Sequence, residues 1–202
     1  RCEAWQYNTA PEIGRVFHMR IDIARVIPMV GRDTYVHGHG LMNGKLLGLV
    51  TVAHGEGAEF DIGELTTYLN DAVLLAPSML LTPAVTWAAV DDGSFLVSLT
   101  DAGRAVRGRV FIDGRGAPCN FSSTDRYAAL PGGPVRARWS TPMDDFTVVG
   151  GRPTGLRGSA VWHLPAGPFE YGRLVLAHRG VQFNVWPGDA RPARMRASEV
   201  AG

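Results

Sequence analysis

The 202-residue chain carries 20 Lys and Arg against 19 Asp and Glu, and 46% of its residues are hydrophobic. That balance supplies ample material for one buried core and excludes a globally disordered chain. The basic residues are dispersed, which argues against a phosphate-backbone binder, so no nucleic-acid partner is expected.

Lys45 is the sole lysine beside 19 arginines, an imbalance of the kind a GC-rich genome produces and no sign of a ligand. Cys2 and Cys119 are too few for a disulfide scaffold and lack the spacing of a zinc or redox motif. No apolar run is long enough to span a bilayer, so no transmembrane segment is expected. The start at Arg1 is compatible with an upstream segment, which leaves the compartment open, with a cytoplasmic location slightly favoured.

From Val16 to Ala24, Phe17, Met19, Ile21 and Ile23 alternate with His18, Arg20 and Asp22, the period of a strand with one buried face. Asn43-Gly44 then reads as a tight turn between strands over 34–42 and 45–53. Asp61 and Glu64 fit a capping box, and Leu65, Tyr68, Leu69, Ala72, Val73 and Ala76 draw an apolar stripe that Pro77 ends, predicting one main helix over 62–76. A meander follows over 85–90, 95–100 and 105–113, punctuated by Asp-Gly and Ala-Gly turns. Further strands are expected over 119–127, 135–140, 159–164, 170–177 and 181–186, with a long loop over 142–158.

These elements predict a β-dominated α+β fold: a large curved antiparallel sheet, half-barrel-like, of about ten strands with one helix. Residues 1–186 read as a single domain and 187–202 as a polar, frayed tail. Several strands are apolar on both faces, more than one helix covers, so the surplus needs loops, a partner or an apolar ligand.

The stretch from Gly63 to Ala72, Gly-Glu-Leu-Thr-Thr-Tyr-Leu-Asn-Asp-Ala, is followed by Pro77, Leu80 and Trp87. It resembles the signature of a bacterial family of unknown function, and the likeness continues through Asp125-Arg126-Tyr127, Trp139 to Pro142 and Tyr171-Gly172. That resemblance implies a fold and no activity. A weaker architectural similarity, to the half-barrels of bacterial lipoprotein carriers, is analogy only.

Glu64 and Tyr68 sit one helical turn apart, as an anchor at a pocket edge or as a cap and a core residue. Arg126 is suited to hold a carboxylate or phosphate, or else forms a structural ion pair. Trp87, Trp139 and Tyr171 line a cavity in one reading and fill the sheet's core in the other. The leading expectation is a non-catalytic binding protein for an apolar or amphipathic small molecule, with Glu64, Tyr68, Trp87, Arg126, Trp139 and Tyr171 as ligand-binding residues. No cofactor is expected. The second reading is a small-substrate enzyme, a metal-assisted hydrolase using His37 and His39 with Asp61 or Glu64. A third makes the uncovered apolar face a contact surface for a membrane component or a second copy.

Overall fold

The computed structural model describes residues 2–23, 26–130, 132–177 and 180–186; the expected tail over 187–202 lies outside them. The fold is β-dominated α+β, with fifteen strands and one long helix among the described residues. The strands are shared between two large antiparallel sheets and a small ribbon, and no barrel closes.

The first sheet takes β1 (Cys2–Thr9), β2 (Gly14–Ile23), β3 (Ile27–Val36), β4 (His39–Leu46) and β5 (Val50–Glu56) in sequential order. The second contains β6 (Val85–Asp91), β7 (Ser94–Asp101), β8 (Arg104–Ile112), β9 (Pro118–Ser123), β12 (Arg138–Ser140), β13 (Met143–Val149) and β14 (Arg152–Leu164), with β15 (Gly167–Val175) paired to β14. The ribbon is β10 (Tyr127–Leu130) with β11 (Gly133–Arg136).

Between the sheets runs α1 (Ala58–Leu75), whose contacts reach β3, β4 and β5 on one side and β8, β9 and β14 on the other. Twelve of its eighteen residues are buried, so it is a central helix and not an amphipathic one with a single covered stripe. Leu65, Tyr68, Leu69 and Ala72 join Val97, Leu99, Val106, Val110 and Phe121 in the core. Each fully buried large apolar side chain there contributes about 2 kcal/mol. The polar residues of the helix are satisfied in place. Thr66 donates to the carbonyls of Ile62 and Asp125, Thr67 donates to that of Gly63, and Thr141 donates to Asn70.

The helix begins four residues earlier than its capping-box pattern suggests. Its N-cap is Gly57 at φ 100°, with no side-chain cap. Asp61 instead accepts from the Gly40 amide at 2.7 Å and from Arg104 at 2.6 Å, pinning the helix start to both sheets. Glu64 caps nothing.

The Asn43-Gly44 turn is also displaced. Asn43 lies within β4, opposite Arg32 and His54, and Gly44 sits at a bulge against β5. The turns fall at His37-Gly38 (φ 51° and 82°) and Leu47-Gly48 (φ 54° and 70°), where both residues take the left-handed region a tight hairpin requires. A Gly in a strand pattern marks a bulge as readily as a turn, and here tertiary packing decides between them. Phe60 packs onto Gly40 and Gly55, which must therefore lie in strands facing the helix. The expected loop over 142–158 is β13, a Gly150-Gly151 turn and the first half of β14, while 181–186 forms no strand.

A Cβ on Gly40 would overlap the backbone carbonyl of Phe60, which no rotamer change relieves. Gly40→Ala is expected to destabilise the protein by about 2–3 kcal/mol in urea unfolding. Gly48→Ala, at φ 70° with open space around it, should cost only about 1 kcal/mol.

Candidate functional site

The inward face of the first sheet is defined by its register. Asn8, Arg15, Tyr35 and Gly40 form one cross-strand row; Gln6, Phe17, Asp33, Met42 and Gly55 form the next. Beyond them come Ala4, Met19, Gly31, Gly44 and Ala53, then Cys2, Ile21, Met29, Leu46 and Val50. The helix engages only the first two rows. Phe60 meets Gly40 and Gly55, Glu64 and Asp71 meet Arg15, and the Tyr68 hydroxyl donates to the Thr9 carbonyl at 2.8 Å. Phe17, Met19, Ile21, Met29, Met42 and Leu46 are partly buried yet lie outside the main core cluster. Together they form an apolar floor that runs from the edge of the helix's seat across the rows it does not engage.

A charged cluster stands at the boundary between covered and uncovered rows. Arg15, 6% exposed, donates through Nη1 to Glu64 and through Nε to Asp71, both at 2.8 Å, and through Nη2 to Gln6 at 3.3 Å. Gln6 in turn donates to Asp71 at 2.7 Å. Burial works against the Arg15 charge, but Asp71 and Glu64 outweigh it and hold the guanidinium protonated. Burial pushes the Glu64 carboxyl up, with Arg15 and Arg126 pulling the other way. Tyr68, also buried, is pushed up to about 12 and remains a neutral donor.

The facing wall comes from the second sheet. Trp139 pairs across β12 and β14 with Trp162, Trp162 stacks on Tyr171 at 6.0 Å, and the Trp139 indole donates to the Tyr171 hydroxyl at 3.0 Å. The Arg126 guanidinium lies over Trp139 at 4.2 Å and over Trp162 at 5.7 Å, a cation–π seat that fixes a long side chain in the connection between β9 and β10. Arg126 acts electrostatically on both Glu64 and Asp33, favouring their charged forms. Among the described residues, the buried side-chain polar atoms without a hydrogen-bond partner are Asp33 Oδ1 and Arg126 Nε. One is an acceptor and the other a donor, and unpaired buried atoms of this kind are costly and rare.

Of the six residues expected to bind ligand, Glu64, Arg126, Trp139 and Tyr171 are brought to this junction. Tyr68 is in the core, tied to β1. Trp87 is 50% exposed on β6, at the opposite edge of the second sheet, packed against Phe95. Arg15 and Asp33 escaped the sequence reading. Their roles arise from cross-strand register, although the alternation of Gly31, Asp33 and Tyr35 does place an acid on the inward face.

The hydrolase reading finds no assembled centre. His37 is at an exposed turn, 3.3 Å from Glu12, and His39 is exposed. Asp61 and Glu64 are committed to Arg104 and Arg15. Among the described residues no three His, Cys, Asp or Glu side chains are grouped to hold a metal. A Ser–His contact exists elsewhere: Ser140 Oγ is 2.8 Å from His163 Nε2, and Arg138 donates to His163 Nδ1 at 2.8 Å. Arginine offers only donors, so Nδ1 is the acceptor and Nε2 carries the proton that it gives to Ser140. Burial and Arg138 lower the imidazole's pKa. That tautomer cannot take a proton from the serine, and the pair is structural. Cys2 and Cys119 are both free thiols.

Fold and site together define a β-rich α+β protein with an ion-paired junction where the central helix meets its sheets. The chain belongs to the family of unknown function DUF6544, which matches residues 1–174. Neither the curated proteins nor the solved structures contain a match.

Two outcomes follow from the charge arrangement. Arg15→Met leaves Glu64 and Asp71 without their buried cation and should cost about 3–5 kcal/mol in urea unfolding, with Glu64→Gln in the same chain recovering part of it. Asp33 has its pKa raised by burial, against the opposing pull of Arg15 and Arg126. Folding therefore favours the protonated acid. The stability of the wild type relative to Asp33→Asn should be greatest below the ordinary aspartate range, about pH 4, and fall as pH rises through the folded value. Thermal unfolding of both proteins across pH checks this.

Proposed function

We propose that this protein binds an amphipathic small molecule in the cleft between its two sheets. The apolar part lies on the floor of Met19, Ile21, Met29 and Leu46, and the polar head sits between Asp33 and Arg126. The observation that carries this reading is the pair of buried, unpartnered polar atoms, one on the first sheet and one beside the aromatic cluster of the second, with an apolar surface that the core does not use. Their complement is a head group that donates to a carboxylate and accepts from a guanidinium, as a hydroxyl, an amide or a protonated carboxyl does.

The floor supports the apolar half of this assignment. Methionine is unbranched and polarizable and adapts to irregular partners. The Met19 side chain lies across Gly31, leaving a thioether surface where a larger residue would have stood up from the sheet. Trp162 and Tyr171 add flat apolar area beside Arg126. Binding without chemistry is favoured because Glu64, Asp71 and Asp61 are held in ion pairs and the Ser140–His163 contact has the wrong tautomer for a nucleophile–base pair.

Titration with the amphipathic dye 1-anilinonaphthalene-8-sulfonate tests this. The native protein should take up one dye per chain with quenching of tryptophan emission. Arg126→Gln and Met19→Glu should each weaken binding by about tenfold, the worth of one lost charged hydrogen bond or a charge placed on the floor. Absence of saturable binding, or binding by both variants as tight as that of the native protein, would overturn the reading. Mass spectrometry of gently purified protein would then identify any natural occupant.

A further inference from the structure

The uncovered floor ends at two neighbouring hairpin tips. The β2–β3 and β4–β5 connections lie at the same end of the first sheet, and the Leu47 amide donates to the Pro28 carbonyl at 2.8 Å, joining them. The tips carry Val26 at 75% exposure and Leu49 at 82%, with Ile23, Ile27, Leu47, Val50 and Val52 also exposed. Isolated exposed aliphatics are ordinary, but seven on two adjoining tips are a patch that needs a partner.

We infer that these two tips dock on the surface of an anionic lipid bilayer and enter its interfacial layer. Shape is the first argument. The patch is the end of a sheet, with side chains on both of its faces, so no single flat protein surface meets all of them, whereas fluid acyl chains do. Charge is the second. Behind the tips on the outward face, Glu3, Arg20, Val30, Lys45 and Thr51 make one cross-strand row and Trp5, His18, Arg32, Asn43 and His54 make the next, with Arg20 paired to Asp22 at 3.3 Å. Arg32 and Lys45 are exposed and make no ion pair among the described residues. No acidic residue occurs between Val26 and Arg32 or between Lys45 and Ala53. An apolar end with two exposed cations, Lys45 and Arg32, set one and two rows back on the strands that form the β4–β5 and β2–β3 tips matches the depth profile of an anionic membrane, with headgroup charge outside hydrocarbon.

Continuity is the third argument. The row of Ile21, Met29, Leu46 and Val50 connects the tips to Met19 and then to Asp33, so a molecule leaving the bilayer has an apolar track to the polar end of the cleft. Transfer along that track rests on the cleft reading above; the docking needs only the tips.

Sedimentation with sucrose-loaded vesicles separates the two. The wild type should pellet with vesicles of phosphatidylcholine and phosphatidylglycerol, less so with phosphatidylcholine alone, and less at high salt. The double variant Leu47→Asp, Leu49→Asp should lose binding by about tenfold or more, with an unchanged thermal midpoint because both side chains are exposed. Lys45→Gln should weaken binding and flatten its salt dependence. Arg126→Gln should pellet like the wild type, so a failed cleft leaves docking intact. Failure of the wild type to pellet with either vesicle, or equal pelleting of the Asp variant, would overturn the proposal. So would a dimer in solution that the Asp variant converts to monomer.

Discussion

A buried arginine on the second strand organises this molecule. Arg15 is enclosed by Glu64 and Asp71 from the helix and by Gln6 from the neighbouring strand. A charge so deeply placed is tolerable only when its hydrogen bonds are satisfied, so helix and sheet must meet in one rotational setting and one register. With Asp61 held by Gly40 and Arg104 at the other end, the helix is fixed at two points along its length. That seat lies over one half of the first sheet. The other half is left bare by geometry and not by any shortage of apolar residues.

The sequence made the β-dominated character and the presence of one main helix legible, because alternation over Phe17 to Ile23 and the three-to-four spacing of Leu65 to Val73 are each local. It was less informative wherever a local pattern serves two purposes. Asp61 and Glu64 have capping-box spacing, yet both reach across to arginines distant in sequence. Asn43-Gly44 has turn chemistry, yet forms a bulge, since Phe60 requires glycines at 40 and 55. Residues 142–158 look like a loop through their Gly and Pro content, although Gly155 and Gly158 lie in strand against Met143. The junction was half visible. Arg126, Trp139, Tyr171 and Glu64 are conspicuous residue types, while Arg15 and Asp33 acquire their meaning only when strands far apart in sequence lie side by side.

The two sheets divide the work. The second supplies rigidity: paired tryptophans, a stacked tyrosine and a guanidinium laid flat on them leave few side-chain degrees of freedom. The first supplies an adaptable surface of thioethers and small residues, graded from ion pairs at the helix to bare aliphatics at the hairpin ends. A polar end that is stiff and a greasy end that gives way suit the proposed ligand, a molecule with one defined head group and a variable apolar part.

The thioethers of that floor also expose the protein to oxidants. Met19, Met29 and Met42 are only partly buried, and conversion of any one to its sulfoxide would set a strong S=O dipole into an otherwise nonpolar surface. Damage there would roughen the floor without touching the Arg15 network that holds the fold, leaving a molecule that is intact in shape and altered in what it can hold.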